Sequence, residues 1–297
     1  LIGVATGGFF LSRHTFGADN TAESSGEGES GKQSEKASDS LSSLWERKEY
    51  SRINELCEQR LEEEPLAQKY LAYNGFSYFY RGVSQYTLED QLLLFDKAVV
   101  NLRKILVFEQ PLLKEKVHYI LGKTYYHKGR FYTDQAITHL QRSLDLGYSA
   151  DDIHRYLGLS YGKLDKYQAS VDHFLKATET SADPILFMTI GRTYYKMERM
   201  DEAIDYLNRA VDRADSSTIK EKSRFLLGNI FHERGALKKA EEQYKHIISN
   251  NDQSADAHYY LGNVYEKRNN RVKARAEWRK ALEIDPSHHG ALLKLYD

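Results

Sequence analysis

The sequence predicts an all-α fold, a solenoid of antiparallel helix pairs stacked on one another. Three observations carry that prediction. The 297 residues include only 19 glycines and 4 prolines, about 8% where roughly 12% is usual, too few turn-formers for a sandwich or barrel. A mean hydropathy of -0.65 with 29% charged residues excludes a polytopic membrane protein. From about residue 115 one helical pattern returns at intervals of 33 to 37 residues, and a unit that cannot bury its own apolar face must stack on its neighbours.

Taken in order, residues 1–17 open with LIGVATGGFFL. Eleven residues fall short of the roughly 20 needed to span a bilayer. The segment reads either as the end of a membrane anchor or signal, or as linker. The first reading places the rest of the chain at a membrane surface or outside the cytoplasm, the second in the cytoplasm. Residues 18–43 hold six acids, two lysines and no aromatic side chain, the composition of a disordered acidic tether. Ser43 and Glu46 form a candidate capping box that opens an amphipathic helix running to Glu64 and stopped by Pro65. Within 44–114, Gly75 precedes Tyr78 by three and Phe95 precedes Ala98 by three, so 68–110 reads as a diverged unit. The four prolines fall at helix starts or unit junctions, where a missing N–H does least harm. Cys57, the single cysteine, reads as a buried thiol.

Five units then follow, at 115–150, 151–183, 184–220, 221–254 and 255–288, with 289–297 beginning a capping helix. Each first helix has a glycine and an aromatic three residues on: Gly122/Tyr125, Gly158/Tyr161, Gly191/Tyr194, Gly228/Phe231 and Gly262/Tyr265. Each second helix has a small residue and a large one four later: Ala136/Leu140, Ser170/Phe174, Ala203/Leu207, Ala240/Tyr244 and Ala274/Trp278. Small residues let two helix axes approach, and the large residue fills the space beside them. This pattern resembles the tetratricopeptide repeat, a helix-turn-helix module of 34 residues. The resemblance implies a right-handed superhelix whose concave surface is lined by the first helices.

In that family the lining positions stand three before, one after, four after and five after the glycine. Mapped here they are Tyr119, Lys123, Tyr126 and His127, then Arg155, Leu159 and Lys163. The third unit offers Met188, Arg192, Tyr195 and Lys196; the fourth Phe225, Asn229, His232 and Glu233; the fifth Tyr259, Asn263, Glu266 and Lys267. Tyrosines anchor interfaces with large area and a polar tip, and the basic members suit an acidic segment. The expectation is a non-catalytic scaffold for a peptide or protein partner. Two alternatives stand beside it: an assembly subunit acting through its convex face or end caps, and a groove for a small ligand or polysaccharide.

No phosphate loop, His-Glu-x-x-His or Cys-x-x-Cys motif occurs, so no cofactor or metal is expected. His118, His154 and His258 share one repeat position and read as packing residues. A formal charge of -1 gives no ground for nucleic-acid binding. The sequence leaves homo-oligomerisation open.

Overall fold

A computed structural model gives the structure of the chain and describes residues 40–296; the readings placed on 1–17 and 18–39 lie outside the described residues. Fifteen α-helices and one 3-10 turn account for the regular structure of those residues, with no strand among them. None of the helices is long and apolar enough to cross a membrane. The fold is an all-α arrangement of helix pairs, in two compact units that divide after Ser160.

The first unit opens with α1 (Leu41–Glu46) and α2 (Tyr50–Glu63). Two expectations are corrected here. The Ser43 capping box does not form: Ser40 is the N-cap and its hydroxyl accepts from Ser43 N–H, so helix begins inside the stretch assigned to the tether. The helix expected from Leu44 to Glu64 is broken at Lys48, which takes a left-handed φ of 59°. Next come α3 (Gln68–Val83) and α4 (Leu88–Ile105), then α5 (Lys114–Lys128), a 3-10 turn (Arg130–Tyr132), α6 (Thr133–Asp145) and most of α7 (Ile153–Lys163). Helices α3 and α4 pack as a pair: a methyl group on Gly75 would lie 2.6 Å from Leu102, and one on Gly82 2.6 Å from Phe95.

The second unit contains α8 (Tyr167–Thr178), α9 (Pro184–Lys196), α10 (Met200–Arg213), α11 (Ser217–Glu233), α12 (Leu237–Asn250), α13 (Ala255–Lys267), α14 (Arg271–Ile284) and α15 (His289–Tyr296). The contact geometry repeats within pairs. A Cβ on Gly122 would meet Leu140, on Gly191 Leu207, on Gly228 Tyr244 and on Gly262 Trp278, each at 2.7 Å or less. These glycines are seats for the large side chain of the partner helix.

The turns between paired helices repeat as well. Asp165, Glu198, Gly235 and Asn269, each seven residues after the repeat glycine, have left-handed φ of 58°, 60°, 74° and 58°. The next N–H then bonds back to the carbonyl of the repeat aromatic: Lys166 to Tyr161, Arg199 to Tyr194, Ala236 to Phe231 and Asn270 to Tyr265, at 2.8–3.0 Å. This is the Schellman closure, which satisfies carbonyls that a helix end leaves orphaned. Lys48 does the same between α1 and α2, where Glu49 N–H bonds to the Leu44 carbonyl at 3.0 Å. That recurrence explains the break in the expected long helix.

Candidate partner-binding surface

The first helices carry the candidate contact residues, and the two units use them differently. In the first unit Tyr119 and Lys123 are not open lining residues. Both are buried, at 7% and 5% exposure. The Tyr119 hydroxyl donates to Asp152 at 2.5 Å, and the Lys123 ammonium donates to Asp152 at 2.8 Å and to the Tyr119 oxygen at 2.9 Å. The ammonium also faces the rings of Tyr119 and Tyr156 at 4.8 Å and Phe79 at 5.6 Å. The expectation that this lysine is a free basic contact is therefore corrected: Asp152, on the connection ahead of α7, neutralises it.

Around this ion pair lies a cluster of tyrosines. Tyr148 packs on Tyr119 at 5.0 Å, and Tyr126 meets Tyr156 edge-on at 5.1 Å. Burial, with the Asp152 charge, raises the hydroxyls of Tyr119 and Tyr156 far above the ordinary range and pushes Tyr148 up to about 12. His127 shares a hydrogen bond with Tyr156 at 3.1 Å. Among the candidates that remain, Arg155 is half-buried, as is Lys163, whose ammonium burial pushes below its usual range.

In the second unit the lining is more open. Arg192 and Lys196 are exposed on α9, with Lys196 over the Tyr167 ring at 5.2 Å, and Met188 is half-buried. The Tyr195 hydroxyl donates to Glu233. Phe225 packs on Tyr244 and Tyr260, and the paired rings of Tyr244 and Tyr260 stack at 5.7 Å. Tyr259, half-buried, meets the start of α15: it packs on His288, just ahead of that helix, at 4.9 Å and lies where a Cβ on Gly290 would fall.

Asn229 and Asn263 have a shared arrangement. Tyr244 donates its hydroxyl to Asn229 Oδ1 at 2.8 Å, and Trp278 donates its indole N–H to Asn263 Oδ1 at 3.1 Å. Each asparagine follows a repeat glycine, so it stands beside the tip of the side chain seated there. These two, with His232, Glu233 and Tyr260, line an open hollow of about 290 Å³. Burial lowers the His232 imidazole below its usual range, and its Nε2 is buried without a hydrogen-bond partner.

The repeat aromatics stay inside or between helices. Tyr125, Tyr194 and Tyr265 are buried, Tyr161 stacks on His173 at 5.4 Å, and Lys239 lies over Phe231 at 5.5 Å. The position four before the glycine faces the second helix: His118 pairs with His139 at 2.9 Å, Arg224 with Gln243 at 2.9 Å and His258 with Glu277 at 2.6 Å. No group of three or more metal-ligating side chains occurs among the described residues. Sequence reasoning missed Asp152, Tyr148, Tyr156 and Tyr260 because they lie outside the repeat positions used to choose candidates.

The helix pairs, their glycine seats and their Schellman turns recur as one repeating unit. The chain carries tetratricopeptide repeats: models of that repeat match residues 184–253 and 255–288. It is similar to human protein O-mannosyl-transferase TMTC1, at 26% identity over 171 residues, 56% of this chain and 19% of that protein. The chain thus spans about a fifth of that relative's length. Among solved structures, it resembles YrrB, described as a tetratricopeptide-repeat protein with an unusual peptide-binding site. The identity is 26% and the TM-score 0.52, covering 67% of this chain and 96% of YrrB. The C-terminal part of a repeat-containing protein from Cytophaga hutchinsonii shares the fold at TM-score 0.67 and 17% identity, covering 86% of this chain and 98% of that one.

Proposed function

We propose that the chain is a non-catalytic scaffold that holds an extended peptide segment of a protein partner against its first helices, with the hollow between α11 and α13 as a principal subsite. The observation that carries this reading is the pair Asn229 and Asn263. Each side-chain oxygen is engaged by an inner aromatic donor, which fixes the amide plane and leaves the NH₂ group to donate to a peptide carbonyl. Tyr260 supplies an aromatic wall. The likeness to YrrB, whose description includes a peptide-binding site, supports the same reading.

Arg192 and Lys196 favour an acidic residue in the bound segment, whereas Lys123 is excluded from that role by Asp152. The right-handed superhelical path and the service of the acidic 18–39 segment as a tether belong to this reading. Peptides selected by display on the full chain test it. Affinity should fall about tenfold for Asn263→Ala or Tyr260→Ala, and Arg192→Glu should weaken acidic peptides at low salt. A selection that yields no binder, or binders indifferent to all three substitutions, rejects it.

A further inference from the structure

Helix α4 presents an apolar row on the face turned away from its own pair. Its inward residues Leu94, Phe95, Ala98, Leu102 and Ile105 are buried against the core. On the opposite side Leu93 and Val100 are 58% and 54% exposed, with Tyr86 and Val107 exposed just beyond the helix ends. Leu93 and Val100 lie seven residues apart on one side of the helix, and Tyr86 and Val107 continue the seven-residue spacing in the chain beyond its two ends. Single exposed apolar residues are ordinary, but an aligned row at seam spacing is the pattern by which one helix pairs with another.

The charges beside the row indicate what pairs with it. Glu89 and Asp90 are exposed at the N-terminal end, Arg103 and Lys104 at the C-terminal end. At 100° per residue, Glu89 and Arg103 fall on one flank of the row and Asp90 and Lys104 on the other. The point midway between Leu93 and Val100 is also midway between Tyr86 and Val107, and between the acidic and basic ends. A second copy turned by 180° about that point sets Leu93 on Val100, Glu89 against Arg103 and Asp90 against Lys104, each twice. Only the central Asp96 and Lys97 would meet their own counterparts, and each already has an opposite charge in its own chain: Asp96 pairs with Lys128, and Lys97 lies 3.8 Å from Glu58. A parallel arrangement would set acids on acids and bases on bases.

We propose that the outer face of α4 pairs antiparallel with the same face of a second copy of this chain, forming a two-fold symmetric dimer. An 18-residue helix is about 27 Å long, so the contact falls below the roughly 1,200 Å² of a standard stable interface and the dimer is weak and concentration-dependent. Opposed charges at both ends make it weaker at high salt.

Sedimentation velocity of the full chain across a concentration series tests this. The expected result is reversible dimerisation, with a dissociation constant raised about tenfold or more by Leu93→Asp, whose side chain is exposed and whose loss leaves the fold intact by circular dichroism. Asp90→Lys and Lys104→Asp should each weaken the dimer, and the two together in one chain should restore it. A chain that stays monomeric throughout overturns the proposal, as does a dimer indifferent to Leu93→Asp. Charge substitutions that weaken the dimer singly and are not restored in combination overturn the antiparallel register.

Discussion

Lys123 and Asp152 form an ion pair at 2.8 Å, with the lysine side chain 7% exposed and the aspartate 29%. The pair joins α5 to the connection ahead of α7, and Tyr119 bonds to both members. Lys123 therefore serves packing rather than recognition, and the two partners differ in what their loss would leave behind.

Asp152→Ala strands an ammonium among aromatic rings. It should cost about 2–4 kcal/mol in urea unfolding, since an uncompensated buried charge is the expensive outcome. Lys123→Met leaves a half-exposed carboxylate still bonded by Tyr119 and should cost less. Equal losses for the two substitutions would argue against the ion pair as described.

The glycine seats give a contrasting pair. Gly122→Ala puts a methyl 2.6 Å from Leu140 Cγ and 2.9 Å from the Leu140 backbone nitrogen, and should destabilise by about 1–3 kcal/mol. Gly162→Ala meets only Ser170 Oγ at 3.2 Å and gains helix propensity, so it should be neutral or stabilising by up to about 1 kcal/mol. Thermal melts of the two variants decide this.

The asparagines should not be equivalent. Asn229→Leu removes the acceptor of the buried Tyr244 hydroxyl and should cost about 1–3 kcal/mol, partly recovered by adding Tyr244→Phe. Asn263→Leu should cost less, because Trp278 also donates to the Tyr259 carbonyl at 3.2 Å. Chemical denaturation of the single and double variants measures both.

Acid should weaken the first unit through its histidine pair. Burial lowers His118 below the usual value of 6.5, and burial with the neighbouring His118 brings His139 down to about 4. Between those limits the unfolded chain binds more protons than the folded one. Stability is therefore retained above 6.5 and lost as the pH falls, by at most about 1.4 kcal/mol per pH unit for each such group. His139→Gln should flatten that slope in melts between pH 7 and 4.5; identical slopes would contradict it.

What the sequence made legible was packing. The glycines, the aromatics three residues on and the large second-helix residues recur because close helix approach constrains each of them. The lining was harder to read, because its chemistry depends on neighbours that the repeat does not constrain. Where the seated residue is Leu140 or Leu207, the position after the glycine holds Lys123 or Arg192; where it is Tyr244 or Trp278, the same position holds an asparagine that accepts from its polar tip. That pairing was present in the residues but invisible without knowing which tips meet. Burial of Lys123 was illegible for another reason: Asp152 lies on a connection between helices. The break at Lys48 was hidden because a left-handed lysine carries none of the signal a glycine would.

The most direct measurement is chemical-shift mapping of a display-selected peptide on the full chain. Partner capture by the first helices predicts perturbed side-chain amides at Asn229 and Asn263, with shifts at His232 and Tyr260 and none along the outer face of α4. Shifts confined to second helices such as α10 and α12, with both asparagine amides unmoved, would contradict it.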